Sequence, residues 1–325
     1  KLRPGSATGP DWVPPRFLEQ CARELAVPLN KLAWVIRGTG EWPECWLLHW
    51  IVPLHKRKAT WNAGNYRGVH HTAQPAKAIE RFLQLAFGTY LASSPCSGPN
   101  QFAYKPKRGA RDALAHLVLT WIWGFNAGRK FAVYCSDVSG AFDRVSTTRM
   151  KEKLKAKGVP AKWIALFLSW LRKRPARVAV GGAFSPEIVL KDMVFQGTVW
   201  GPVLWNTFYE DARVPVQDAG FTEVVYADDL NAYKGIGCTT PNENAFVEAK
   251  GCQENLHRWG KANQVAFDPD KESFHVVSHT HAEGPDFKLL GVTFDCQLTM
   301  AAAVRKTAQE GSWKLRTLLR TGRYH

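Results

Sequence analysis

Three aspartates carry the sharpest chemical signal in this chain. Two are adjacent, in Val224-Val225-Tyr226-Ala227-Asp228-Asp229-Leu230. Aspartate is a favoured turn residue, and a lone Asp-Asp turn is ordinarily structural. Here strand-like apolar residues flank the pair on both sides. Two carboxylates held beside a core repel each other unless a cation neutralises them. The third, Asp137, closes another strand-like run, Val133-Tyr134-Cys135-Ser136. Set beside the Asp-Asp hairpin, it completes a cluster of hard oxygen ligands. Such a cluster suits Mg²⁺, which takes few carboxylates and keeps water or phosphate oxygens for its other positions. Two such ions about 4 Å apart can activate a primer 3′-hydroxyl and stabilise the departing pyrophosphate in line. Asp143, six residues after Asp137, reads as a structural acid or a cap and stays outside the set.

The elements that must position these acids follow from periodicity. Residues 1–15 are rich in Pro and Gly and read as a poorly ordered lead-in. Helical spacing runs over 17–32, 73–91, 112–125, 147–157, 161–172, 203–214, 244–260 and 301–319. Strand-like runs cover 46–54, 131–138, 177–180, 184–190, 223–233 and 287–294, with more strand inside 264–277. Gly181-Gly182 is a hairpin signal, and Ser93–Gly98 reads as a loop. Strands and helices mix without strict alternation, which argues for an α+β fold.

Composition narrows the partners. Net charge is +15, with 43 Lys and Arg against 28 Asp and Glu, which favours a polyanion. Hydrophobic content of 45% argues against disorder. No apolar run is long enough to span a membrane, and no signal peptide is visible. There is no initiator Met, so the chain reads as a fragment or a piece of a longer polyprotein. Seven cysteines are scattered with no Cys-x-x-Cys pair, which fits a reducing, intracellular setting, nuclear or cytoplasmic. Cys238, Cys252 and His257 match no standard metal spacing. His70-His71, His279 and His281 read as surface loop residues.

The order of motifs resembles reverse transcriptases, from about Trp46 to Phe294. Asp137 to Asp143 looks like the first metal motif of that family. Phe195-Gln196-Gly197-Thr198-Val199-Trp200-Gly201-Pro202 looks like its Gln-Gly motif, and Tyr226-Ala227-Asp228-Asp229 like its signature hairpin. Asp268-Pro269-Asp270-Lys271 resembles the lysine motif that follows, and Leu289-Leu290-Gly291-Val292 the primer grip. Upstream, Ile51 to Lys56, Asn65-Tyr66-Arg67 and Lys77 to Glu80 resemble the fingers of non-LTR (LINE-type) elements. Tyr66-Arg67-Gly68-Val69, Tyr104-Lys105-Pro106 and Trp200-Gly201-Pro202 depart from the usual family wording.

The resemblance implies a right-hand polymerase fold, with an antiparallel palm sheet, helices packed behind it, fingers and a truncated thumb. It divides the chain into a lead-in and helix (1–40), fingers (41–130), a palm (131–286, with helices 147–175 inserted) and a primer-grip strand with the start of the thumb (287–325). It implies RNA-directed DNA polymerisation with an RNA template, a DNA primer, dNTPs and two Mg²⁺ ions, Mn²⁺ being a substitute, and further modules outside these residues. Asp137, Asp228 and Asp229 would hold the metals, with the backbone carbonyl of Val138. Arg67, Lys56 and Lys58 would pair with the triphosphate, since a guanidinium matches phosphate oxygens with two bonds. Phe142 would lie under the sugar and exclude a 2′-hydroxyl. Gln196 and Gly197 would approach the nucleotide closely. Lys271 would donate a proton to pyrophosphate, and Leu290 and Gly291 would grip the primer. Two other readings remain: an RNA-dependent RNA polymerase, and an inactive RNA-binding relic. Ala-Asp-Asp in place of Gly-Asp-Asp, and the aromatic gate at Phe142, favour DNA synthesis.

Overall fold

The structure is a computed structural model that describes residues 7–92 and 97–321. Most of the 93–98 loop and the first six residues of the lead-in lie outside the described residues. In chain order the first half holds α1 (Pro15–Gln20), α2 (Ala22–Thr39), β1 (His49–His55), β2 (Tyr66–His71), α3 (Gln74–Leu91), α4 (Ala110–Asn126), β3 (Arg129–Ser136), α5 (Thr147–Ala156) and α6 (Ala161–Leu171). The second half holds β4 (Arg174–Val180), β5 (Ala183–Phe184), β6 (Ile188–Leu190), α7 (Gly201–Tyr209), α8 (Arg213–Asp218), β7 (Thr222–Tyr226), β8 (Asp229–Gly237), α9 (Asn242–Asn263), β9 (Ser273–Val277), β10 (Phe287–Leu289), β11 (Val292–Phe294) and α10 (Ala301–Thr321). They form two compact units that interleave along the chain.

The first unit takes Lys1–Pro99, Gly140–Asp211 and Lys261–Val265. Its sheet runs β2-β1-β4-β5, with β6 also on β4; β1 is antiparallel to β2 and parallel to β4. Gly181 and Gly182, both at positive φ, turn the chain between β4 and β5 as their sequence signal required. The core is aromatic. Trp200 is fully buried, with Trp42, Phe87, Phe167 and Trp170 at ring-centroid distances of 5.1, 5.4, 5.5 and 5.6 Å. Its indole nitrogen donates to the backbone oxygen of Glu80 at 2.8 Å. The buried Glu80 carboxylate in turn accepts from the Trp170 indole and from the Val199 amide. Trp200, one of the departures from the wording of the family the chain resembles, is therefore a core residue, held by packing and by a satisfied N–H.

The second unit takes Asn100–Ser139, Ala212–Gly260 and Ala266–His325. Its four-stranded sheet, β7-β8-β3-β9, is antiparallel throughout. Alternate residues of β3 (Phe131, Val133 and Cys135) join Val224, Tyr233 and Val277 on one face. That face packs on Ala113, Leu117 and Trp121 of α4, and on Phe287, Leu289 and Phe294 of β10 and β11. Gly124 of α4 rests against the Phe131 ring, where a Cβ would come within 2.2 Å. Asp112, in the first turn of α4, accepts from the Gly109 amide at 2.7 Å and fixes where that helix begins.

Some expectations need correction. The lead-in is pinned from residue 7 on: Asp11 accepts from the Gln74 amide, and the Gln74 side chain donates to Ala7 O. Such long-range bonds leave no local sequence trace. The run 287–294 is not one strand but a hairpin, because Leu290 and Gly291 both take positive φ. The strand expected over 46–54 begins at His49, after a 3₁₀ turn over Glu44–Trp46. The helix expected over 203–214 breaks after Tyr209. His70 and His71 are not loop residues; both lie in β2, and His70 is 3% exposed.

Replacing Trp200 with Ala should cost about 3–5 kcal/mol, as for other large-to-small changes in cores. The same change at Trp123, which is 68% exposed, should cost less than about 0.5 kcal/mol. Denaturant unfolding of both variants measures the contrast.

Candidate functional site

The acids converge because of strand register. β3 and β8 pair antiparallel up to Ser136 opposite Leu230, so the next step along each strand sets Asp137 opposite Asp229. The period of two puts Asp137 on the face of Phe131, Val133 and Cys135, and Asp229 on the face of Tyr233. The buried apolar strands thus bring two carboxylates together at the end of the sheet where the core stops. The Tyr226–Asp229 pair closes the β7–β8 hairpin, leaving Ala227 and Asp228 as its two-residue turn.

The electrostatics record the crowding. The Asp229 carboxyl is pushed up to about 7, by burial first, then by the negative charges of Asp228 and Asp137 and by a side-chain hydrogen bond with Asp137. The Lys271 ammonium lies against the Asp137 carboxylate and 3.2 Å from Asp268. Burial works against the charge of Lys271, but its bonds to these two acids hold its pKa above the ordinary lysine value. A cavity of about 110 Å³ lies here, lined by Cys135, Ser136, Asp137, Asp229, Asn231, Lys271, Lys288, Leu289 and Leu290. Among the described residues no three His, Cys, Asp or Glu side chains stand as a ready metal cage. The donor set nonetheless fits a divalent cation. Carboxylate oxygens whose mutual repulsion raises a pKa are what such an ion relieves. Val138 pairs with Phe267 through the hydrogen bonds of its neighbours, Asp137 O with Asp268 N and Ser139 N with Ala266 O. That bridge does not use the carbonyl of Val138.

Most of the second-unit residues singled out in the sequence therefore meet: Asp137, Asp229, Lys271 and Leu290 line one cavity, and Asp228 acts on Asp229 through its charge. Gly291 is exposed in the adjoining turn. Two supports had no local sequence signal. Buried Glu272 is bonded by the Tyr134 hydroxyl, by Gln253 at 2.7 Å and by His257 at 2.8 Å, and so anchors the residue next to Lys271. Gln101 bonds the hairpin turn at Ala227.

The remaining candidates lie in the first unit. Lys56, Lys58 and Arg67 are exposed on the β1–β2 hairpin, and Lys56 donates to Gly64 O at 3.1 Å. Phe142 is half-buried and stacks on Trp205 at 5.8 Å. Asp143 is exposed in a 3₁₀ turn. Gln196 and Gly197 lie on β2. The His70 amide donates to Gln196 O at 2.7 Å, and a Cβ on Gly197 would come within 3.1 Å of His70 O. Gly197 also takes φ +96°, so its need for glycine is doubly fixed. Behind this loop His70 bonds His49 at 3.2 Å, and His49 bonds the buried Arg174 at 2.7 Å. The Arg174 guanidinium lies 3.9 Å from the centre of the Phe195 ring.

Comparison with known proteins decides the assignment. The family described as "Reverse transcriptase (RNA-dependent DNA polymerase)" matches residues 54–294, well over half of the sequence. The chain belongs to this reverse transcriptase family. Among similar curated proteins are the RNA-directed DNA polymerase from mobile element jockey of Drosophila melanogaster, 24% identical over 95% of this chain, and its Drosophila funebris counterpart, 26% identical over 92%. A probable RNA-directed DNA polymerase from transposon BS of Drosophila melanogaster is 24% identical over 82%. The chain spans 35%, 34% and 31% of those relatives' own lengths. These relatives bear out the non-LTR, LINE-type resemblance. An apo telomerase structure from Candida tropicalis aligns over 79% of this chain and 55% of its own at TM-score 0.55 and 11% identity, which establishes the shared right-hand polymerase fold. Reverse transcriptases as a family use divalent metals. No helix among the described residues is long and apolar enough to cross a membrane.

The buried histidines give this reverse transcriptase domain an acid-sensitive stability. His70 is held down to about 4, by burial first and then by the charges of Arg174 and His71. It stays neutral while folded, whereas an unfolded histidine takes a proton near pH 6.5. The unfolded chain thus binds more protons between about pH 6.5 and pH 4, and stability falls as pH falls through that window. His70 should contribute up to about 1.4 kcal/mol per pH unit to this fall. His70→Gln should flatten the slope of unfolding free energy between pH 7 and pH 5; an unchanged slope would refute a neutral, buried His70.

Proposed function

We propose that this domain is an active RNA-directed DNA polymerase serving retrotransposition, adding dNTPs to a primer 3′-hydroxyl on an RNA template. The observation that carries the proposal is the convergence of Asp137, Asp228 and Asp229, set by the strand register of β3, β8 and the β7–β8 turn. Two Mg²⁺ ions, with Mn²⁺ as a substitute, would be held by these carboxylates and the Val138 carbonyl, and would lower the pKa of the attacking hydroxyl and stabilise the leaving oxygen. Lys271 keeps a proton beside Asp137, where an ammonium can protonate the departing pyrophosphate. Arg67, Lys56 and Lys58 present exposed cations for the triphosphate. Phe142, braced by Trp205, selects deoxyribose by bulk. Gln196 and Gly197 offer backbone close to the nucleotide and template, and Leu290-Gly291 forms the grip on the primer end.

The domain division belongs to the same proposal: fingers over 41–130, palm over 131–286 and the start of the thumb from 287. The length of the curated relatives supports further modules in the whole protein. An intracellular site of action, nuclear or cytoplasmic, completes the reading.

Primer extension on an RNA template with dNTPs tests the proposal. Asp137→Asn and Asp228→Asn should each lower the rate at least about 100-fold. Incorporation of NTPs but not dNTPs would overturn the assignment to DNA synthesis. Phe142→Ala should retain dNTP incorporation and raise NTP incorporation at least about 10-fold, read as the ratio of the two kcat/KM values. An unchanged ratio would remove Phe142 from sugar selection.

A further inference from the structure

The turn that carries Asp228 is an unfavourable one for its sequence. Ala227 sits at φ +61°, while Asp228 is not in the left-handed region. This is the backbone of a two-residue hairpin turn whose first position normally needs glycine. An alanine there is strained, and a strained residue persists only where its surroundings over-determine it.

Gln101 supplies that determination. Residues 100–102 run parallel to the end of β7, with the Phe102 amide donating to Val225 O at 2.8 Å and the Val225 amide donating to Asn100 O at 3.0 Å. The Gln101 side chain, 6% exposed, then reaches one step further. Its Oε1 accepts from the Ala227 amide at 3.0 Å, and its Nε2 donates to Ala227 O at 3.3 Å. The same Oε1 accepts from the Ala103 amide at 2.9 Å. One side-chain amide thus meets both the N–H and the C=O of Ala227, as a neighbouring strand would. The Ala227 carbonyl belongs to the peptide unit that links it to Asp228. Fixing that unit fixes the direction in which Asp228 leaves the turn, and the strand entry of Asp229 after it.

We propose that Gln101 is a positioning residue for nucleotidyl transfer. It holds the Ala227–Asp228 peptide so that the Asp228 and Asp229 carboxylates meet Asp137 in the arrangement that binds the metal pair. The inference rests on the metal-site reading given under Proposed function.

Gln101→Met keeps the volume of the side chain and removes all three hydrogen bonds. Gln101→Glu keeps an acceptor for the Ala227 and Ala103 amides, loses the donor to Ala227 O and sets a carboxylate oxygen against that carbonyl instead. Single-nucleotide addition is measured against Mg²⁺ concentration and against dNTP concentration. Mn²⁺ binding without nucleic acid is followed by electron paramagnetic resonance, and circular dichroism reports folding. Gln101→Met should lower kcat about 10- to 100-fold, the range seen when a group orienting a metal ligand is lost. It should raise the Mg²⁺ concentration at half-maximal rate and weaken Mn²⁺ binding several-fold, with KM for dNTP within about two-fold. Gln101→Glu should shift the metal dependence in the same direction by less. Unchanged metal dependence and Mn²⁺ affinity in a folded variant of either kind would overturn the proposal, even with a lower rate. If Gln101→Met fails to fold, Gln101→Glu alone decides. Asp228→Asn is the parallel control: full activity there would sink the metal-site reading itself, whereas its loss of activity beside an unaffected Gln101 variant sinks only the role of Gln101.

Discussion

Repulsion between like charges is the constraint on which the second unit is organised. Asp137, Asp228 and Asp229 converge at a half-buried sheet end, where burial first and the neighbouring negative charges second push Asp229 up to about 7, and no unsupported loop would keep them so. The apolar sheet does the holding. Register along β3 and β8 is fixed by which face is buried, and a slip of one residue would turn every core side chain outward. The same register sets Asp137 opposite Asp229. Stability of the core and convergence of the acids are therefore one property. Opposing charge then reduces the cost: Lys271 lies against Asp137 and is itself aligned through buried Glu272, which three side chains hold in place.

The first unit solves a related problem with buried polar groups. Glu80, Arg174, His49 and His70 all lie in the core. Each polar group withdrawn from water needs a partner. Glu80 finds two indole or amide donors; Arg174 reaches His49 through Nη1 alone, and its Nε and Nη2 make no hydrogen bond while the guanidinium lies against the faces of Phe195 and Trp170. Burial holds Arg174 down to about 9 and keeps both histidines neutral. The chain end of this network is the His70–Gln196 bond, so the Gln-Gly loop rests on β2 as well as on its own turn, where the Thr198 amide and hydroxyl donate to Phe195 O. The Trp-Gly-Pro wording that follows is explained by the same core, because Trp200 fills its centre.

Much of this was legible in sequence because it is local. Helical and strand periods marked nearly every element, since burial of one face imposes them. The three acids stood out because charge at the end of an apolar run is unusual. Element ends were less legible: the 287–294 run hid a turn at Leu290-Gly291, and the lead-in hid bonds to Gln74, 63 or more residues away. His70 looked like a loop residue because a polar side chain says nothing of a partner elsewhere in the chain.

By itself the sequence determined the kinds of chemistry available: three carboxylates, a lysine after a turn, exposed cations ahead of a helix, and a basic excess suited to a polyanion. It also determined the family, because ordered motifs survive where spacing must be kept. Only the tertiary structure decided which groups act on each other. It set Asp137 against Asp229 through strand pairing, placed Lys271 on Asp137 across 134 residues, and brought Gln101 to the strained Ala227 across 126. The physical reason is that hydrogen bonds and charge interactions act over a few ångströms of space, and a sequence records separation along the chain instead.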